Sequence, residues 1–110
     1  MDDAAALVTE LRDLLTPRVV AYIASVDDTR TTREWANGVA APAPEVDERL
    51  RDALRAARPV AAAYGRGTAQ AWMLGMDPAF DDRAPARVLR DGDASARRAV
   101  IAAARRFAAE

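Results

Sequence analysis

The sequence predicts a small all-α protein, because apolar residues recur at helical spacing along most of its 110 residues. Prolines stand where the predicted helices begin, and glycines stand where several of them end. Alanine dominates the hydrophobic class, which makes up 51% of the chain. Such small side chains bury little area each, so we expect burial against a partner to supplement the core.

The first part of the chain is expected to form three short helices. Residues 4–15 place apolar side chains on one side and polar ones on the other, which predicts an amphipathic helix. Thr16 and Pro17 follow as the N-cap and first residue of a second helix, which ends near Ser25. A third helix carries Trp35, expected in the core, and stops at the Asn-Gly pair that follows it.

A short linker then divides the sequence. Residues 38–44 read GVAAPAP, and their two prolines forbid a continuous helix, so we place the boundary between residues 1–41 and residues 45–110 here. The next apolar pattern predicts a long helix with Pro44 in its first turn. Pro59 interrupts that pattern, and two outcomes remain open: a kinked helix, or two helices divided near Arg58.

The stretch 69–93 contains the most regular pattern. Ala69, Trp72, Met73 and Met76 repeat at the spacing of one helix face, with Thr68 placed as N-cap and an end between Gly75 and Asp77. After a polar loop, a second short helix opens at Pro85, points Val88 and Leu89 inward and stops at Gly92. A last helix starts after Asp93, and its predicted buried stripe is Ala96, Val100, Ala103, Ala104 and Phe107.

The landmarks of this stretch are Trp72, Asp77-Pro78, Phe80, Pro85, Leu89 and Gly92. In order and spacing they resemble the toxin-binding domain of antitoxins of the Xre/MbcA/ParS type, and the resemblance covers roughly the C-terminal 60% of the chain. It implies that residues 45–110 bind a toxin of the RES-domain class, which consumes NAD, and occlude its active-site cleft. Function would then be occlusion without chemistry.

The residues expected to contact the toxin are Trp72, Met73, Asp77, Phe80, Arg83, Arg87, Arg90, Phe107 and Glu110. Asp77 is also expected to cap the turn at Pro78, and Phe80 either fills the core, the favoured alternative, or anchors the partner. The three arginines form either a basic strip or an ordinary solvated face. Glu110 and the chain-end carboxylate could imitate phosphate oxygens in a pocket for NAD, although a frayed helix end is the simpler alternative.

The second and third helices resemble a helix-turn-helix of the Xre repressor type, in which two short helices are joined by a tight turn. Arg30, Thr31 and Arg33 are then candidate DNA contacts, since recognition helices read DNA with their N-terminal residues. However, residues 1–44 carry four arginines against seven carboxylates, whereas DNA-binding modules normally show a basic face. DNA contact, which would require a dimer, and a solvated helix face both remain open.

The composition excludes most enzymatic chemistry. The chain has no Cys, His or Lys, which excludes disulfides, thiol and imidazole catalysis, the usual zinc sites and Schiff bases. Short acidic pairs such as Asp81-Asp82 lack the ligand spacing of a calcium loop. We therefore expect no enzyme activity, no cofactor and no metal site.

Localisation and assembly are predicted less directly. With no secretion signal and no apolar stretch long enough for a bilayer, we expect a cytoplasmic protein with no membrane contact. The predicted assembly is a homodimer within a complex with the toxin, with operator DNA as a further candidate partner. The alternative function is a stand-alone helix-turn-helix regulator that dimerises through its C-terminal part, and a third is a helical adaptor.

Overall fold

The computed structural model describes residues 3–110, which form seven α-helices and one short 3₁₀ turn, with no strand among them. The helices are α1 (Ala4–Leu15), α2 (Pro17–Ala24), α3 (Thr29–Ala36), α4 (Pro44–Tyr64), α5 (Arg66–Leu74), α6 (Pro85–Asp91) and α7 (Ala94–Ala108). The 3₁₀ turn, Pro78–Phe80, lies between α5 and α6. The predicted all-α fold class is confirmed.

Aspartate side chains begin several of these helices. Asp3 accepts a hydrogen bond from the backbone N–H of Ala5 at 3.0 Å, and Asp93 accepts one from Ala96 at 2.8 Å. Thr16 caps α2 immediately before a proline, as the sequence predicts. Each cap satisfies a backbone donor that has no partner within the helix.

Helix α4 runs without interruption through Pro59 for 21 residues. Of the two outcomes left open by the sequence, division near Arg58 is therefore wrong. A proline inside a helix removes one backbone hydrogen bond, yet Ala56, Ala57 and Val60 are all buried around it. Packing on both sides of Pro59 therefore holds the helix together.

The start of α5 differs from the prediction. Thr68 is not its N-cap, because the helix already begins at Arg66 after Gly65, which adopts a φ of 93°. A glycine tolerates that backbone conformation without steric cost, so the sharp turn from α4 can be made before Thr68. Met76 does not continue the buried stripe either, since α5 ends at Leu74 and Met76 is 80% exposed.

Helix α4 lies at the centre of the fold and packs most extensively against α7, then against α1 and α5. Leu11 of α1, Leu50 of α4, Met73 of α5 and Leu89 of α6 are fully buried in one hydrophobic cluster. The core is thus continuous across the segment 38–43. The division into residues 1–41, of which the first two lie outside the described residues, and residues 45–110 stays a prediction.

None of the described helices is long and apolar enough to cross a membrane. Within residues 3–110, no three carboxylates lie close enough together to hold a metal ion.

Candidate functional site

An aromatic cluster lies where the C-terminal ends of α4 and α7 meet α5. The ring of Phe107 contacts that of Tyr64 edge-on, with centroids 5.4 Å apart and an angle of 61° between the planes. Its centroid lies 6.2 Å from that of Trp72. The structure thus brings the Trp72 helix against the end of the last helix, and the rings of Trp72 and Phe107 are only partly covered.

A shallow apolar hollow of about 300 Å³ opens beside this cluster. Its lining consists of Thr68, Ala71, Trp72, Gly75, Met76, Asp77 and Phe107. The surface beside the hollow is also apolar, because Tyr64 is 45% exposed and Met76 80%. A contiguous group of large exposed apolar side chains marks a binding surface more often than an ordinary solvated one. We name this surface the apolar patch and define it by Tyr64, Trp72, Met76 and Phe107.

Asp77 fixes the backbone at one border of the hollow. Its side chain accepts a hydrogen bond from the N–H of Ala79 at 2.9 Å and so caps the 3₁₀ turn, as predicted. Its own N–H donates to the carbonyl oxygen of Arg83 at 3.3 Å, which closes the loop between α5 and α6. The loop geometry therefore explains this carboxylate without a partner.

Two of the expected toxin contacts lie inside the protein. Met73 has no exposed surface, and Phe80 is only 8% exposed. Their side chains belong to the core, and neither can form the main contact with a partner that docks on this surface. Phe80 thus follows the favoured of its two alternatives, whereas the expected contact of Met73 with the toxin is corrected, because its side chain is fully buried.

The three arginines of the loop and of α6 do not form a free basic strip. The Nε of Arg83 donates to the carbonyl oxygen of Phe80 at 3.0 Å. Arg87 and Arg90 both lie near the carboxylate of Asp91, at 3.6 and 3.7 Å. The guanidinium of Arg90 also lies 4.6 Å above the ring of Tyr22 in α2, a cation–π contact. Each charge already has a partner within the chain.

Helix α7 ends at Ala108, and the last two residues follow it in a turn. The backbone N–H of Glu110 donates to the carbonyl oxygen of Phe107 at 3.2 Å, and its side chain is exposed. Glu110 is therefore free to contact a partner.

The helix-turn-helix-like segment is formed by α2 and α3. The turn lacks the glycine that is common there, and Ser25 takes the left-handed conformation instead, with a φ of 60°. Thr32, placed where an apolar residue usually packs, is buried, and its hydroxyl donates to the carbonyl oxygen of Thr29 at 2.8 Å. Trp35 is buried, as predicted.

The candidate DNA contacts on α3 are only partly available. Arg30 and Arg33 are exposed, but Thr31 is half-buried. Arg30 also lies 3.4 Å from the carboxylate of Asp28, the N-cap of the same helix. The surface of α3 is therefore close to neutral.

No protein-family model matches the sequence, and a search of curated protein sequences finds no match. A search of solved structures finds a chain of the crystal structure of the M. tuberculosis MbcT–MbcA toxin–antitoxin complex, with a TM-score of 0.74 and 25% sequence identity. The match covers 97% of this chain and 97% of that one. It confirms the resemblance that the motif around Trp72 indicates, and the chain has the fold of an MbcA-type antitoxin.

Proposed function

We propose that this protein is the antitoxin of a toxin–antitoxin pair and neutralises its toxin by binding it. The observation that carries this proposal is the structural match over 97% of the chain to a component of a toxin–antitoxin complex. The absence of Cys, His and Lys from the sequence agrees with a function by binding alone.

The finer proposal concerns the toxin and the mode of inhibition. The sequence motif implies a toxin of the RES-domain class that consumes NAD. We propose that residues 45–110 cover its active-site cleft, so that substrate cannot enter. We further propose a cytoplasmic complex that contains a homodimer of this chain, which its mass in solution would test.

The apolar patch is the surface that we assign to the toxin. Interfaces derive most of their binding energy from a few large side chains that become fully desolvated. Trp72 and Phe107 are already half-buried and held by their neighbours, so they would lose little conformational freedom on binding. The hollow between them would receive an apolar side chain of the toxin.

Two residues from the sequence-based set extend this surface. Asp77 borders the hollow and offers a carboxylate to a donor at the rim. Glu110, two turns beyond Ala103, would reach the toxin pocket in the phosphate-mimicking mode. Arg83, Arg87 and Arg90 would contribute only at the cost of their present partners.

Co-expression with the product of the adjacent gene tests the main proposal. We expect that product alone to arrest growth and consume NAD, and this chain to relieve both effects. A harmless neighbour would contradict the proposal, as would arrest that this chain does not relieve.

The assignment of the surface is tested by a matched pair of variants. Met76→Gln should weaken binding to the purified toxin by about tenfold, because an apolar side chain that becomes buried would be replaced by a polar one. Val39→Gln changes a comparably exposed side chain, 75% against 80%, on the segment between α3 and α4. Equal effects of the two substitutions would contradict the assignment. Glu110→Gln with unchanged inhibition would remove the Glu110 side chain from the mechanism.

A further inference from the structure

The arginines of this chain fall into two groups. Most of them donate to, or lie within 4.0 Å of, a carboxylate or carbonyl oxygen of the chain itself, as do Arg58 with Glu10 and Arg66 with Asp13. Among the described residues, Arg98, Arg105 and Arg106 have no such partner, and all three lie on the exposed side of α7. The other unpartnered arginines are Arg12, Arg18 and Arg33, which lie on three different helices. Uncompensated positive charge is therefore concentrated on α7.

Two of the unpartnered arginines, Arg98 and Arg105, border a groove between α4 and α7, and Arg106 follows on the adjoining exposed surface of α7. Arg98 and Arg105 are seven residues apart, so they share a helix face at a rise of about 10.5 Å. Ala102 lies between them, and Ile101 is nearly buried below. The groove has a volume of about 450 Å³. A row of guanidinium groups thus stands beside small side chains, which leaves room for a close ligand.

The acidic side chains in the groove do little to cancel this charge. Glu48 and Asp52 line it from α4. Asp52 already accepts hydrogen bonds from Arg55 and Arg97, each at 2.8 Å. Only Glu48 remains to oppose Arg98 and the other α7 arginines, so the local charge is positive although the whole chain carries −1.

We infer that this face of α7, formed by Arg98, Arg105 and Arg106, binds the phosphate backbone of duplex DNA. Guanidinium groups match phosphate geometry through two parallel hydrogen bonds, and DNA presents a dense row of phosphates to a linear row of cations. Such contacts position a protein on DNA without reading the sequence. They supply the electrostatic attraction that the acidic first part of the chain lacks.

The balance of charges disfavours α3 as the main phosphate-binding surface. Arg30 and Arg33 share this surface with Asp27, Asp28 and Glu34. Arg30 already forms an ion pair with Asp28. A surface on which arginines are offset by neighbouring carboxylates gains little from phosphate contacts. The inference therefore moves the expected DNA contact from Arg30 and Arg33 to α7.

The α7 surface and the apolar patch point in different directions. Phe107 follows Arg105 by two residues, which is about 200° of helical rotation. A toxin bound at the Phe107 side would leave the Arg105 side uncovered. The inference therefore does not depend on the proposed antitoxin function, and each can fail without the other.

Fluorescence polarisation tests the inference with the full chain and a labelled 30-base-pair duplex of arbitrary sequence, titrated at 50–200 mM NaCl. We compare the wild type with the triple variant Arg98→Gln, Arg105→Gln and Arg106→Gln. The slope of log K against log salt concentration should become less negative by about 2.7 per bound chain, because each of the three phosphate contacts removed accounts for about 0.9. The matched control, Arg30→Gln with Arg33→Gln, should keep the wild-type slope.

Folding and partner binding are measured on the same samples. All substituted side chains are exposed, so circular dichroism should show unchanged helix content. Duplex binding that the triple variant retains would overturn the inference, as would a larger loss in the α3 double variant or no duplex binding by the wild type at 50 mM NaCl. If the triple variant instead loses only its affinity for the toxin, the α7 surface belongs to a protein partner and the inference is wrong.

Discussion

The ion pair that joins α4 to α7 supports a quantitative prediction about stability. The Nε of Arg97 donates to a carboxylate oxygen of Asp52 at 2.8 Å, and its Nη1 donates to the carbonyl oxygen of Gly92 at 3.2 Å. The two charged side chains are only 13% and 14% exposed. Arg97→Met keeps an apolar stem in the same place but removes both hydrogen bonds.

The expected loss follows from this environment. Removing one partner of a fully buried ion pair costs about 3–5 kcal/mol, because the other charge is left unpaired. Here Asp52 keeps its hydrogen bond to Arg55 and some contact with water. We therefore expect a loss near the lower range for hydrogen bonds to charged groups, about 2 kcal/mol. For a chain of this size, that lowers the Tm by about 8 °C.

Urea unfolding followed by helical circular dichroism measures the free energy of unfolding directly. The control is Arg58→Met, which breaks the ion pair with Glu10, whose side chains are 59% and 39% exposed. Exposed pairs contribute about 0–1 kcal/mol, so the control should lose less than half as much. Equal losses in the two variants would refute the argument from burial, as would a loss below about 1 kcal/mol for Arg97→Met.

Three further predictions concern titration, core packing and backbone contacts. The hydrogen bond from Arg58 holds the pKa of Glu10 below its usual value of 4.5, so Glu10→Gln should be less stable than wild type at pH 7. The difference in free energy of unfolding should vanish as the pH falls below 4.5 and through the lowered pKa of Glu10. A difference that grows in urea titrations at acid pH would contradict this prediction. Met73→Ala should cost about 2–5 kcal/mol in the same assay, because a fully buried side chain leaves a cavity; a loss under about 1 kcal/mol would place Met73 outside the core. Gly92→Ala should destabilise the protein by about 1–3 kcal/mol, because the new Cβ would lie 2.6 Å from a backbone oxygen of α6. The control Gly67→Ala places its Cβ where no atom lies within 4 Å and should stabilise the protein by about 0.5 kcal/mol. Stability changes of the same sign in the two variants would show that the contact at Gly92 is unimportant.

Helix boundaries with a local cause were predictable from the sequence. Thr16-Pro17, Gly92 and Asp93 define helix ends through capping, which depends on neighbouring residues only. The start of α5 was not predictable in this way. Either Gly65 or Gly67 could make the turn after α4, and only the path of the chain in the folded protein decides which of them does. The continuity of α4 through Pro59 likewise depends on packing from other helices.

The candidate site was predictable in part. Trp72 and Phe107 follow from their motif and helical pattern, and the structure brings them together. Tyr64 and Met76 were missed, because their exposure depends on where α4 and α5 end relative to α7. The contact between Arg90 and Tyr22 joins residues far apart in the sequence, and no local pattern signals it.

Because the core is continuous, stabilisation by a ligand at one end of the molecule should reach the other end. Helix α1 packs against α4 and α5 in one shared hydrophobic cluster. A ligand bound at the α5–α7 end would therefore also stabilise α1 against local opening. A ligand that binds only the native state lowers the population of every opened form in which its site is lost. Amide protons of α1, though remote from the ligand, would then exchange with solvent more slowly in the complex than in the free protein.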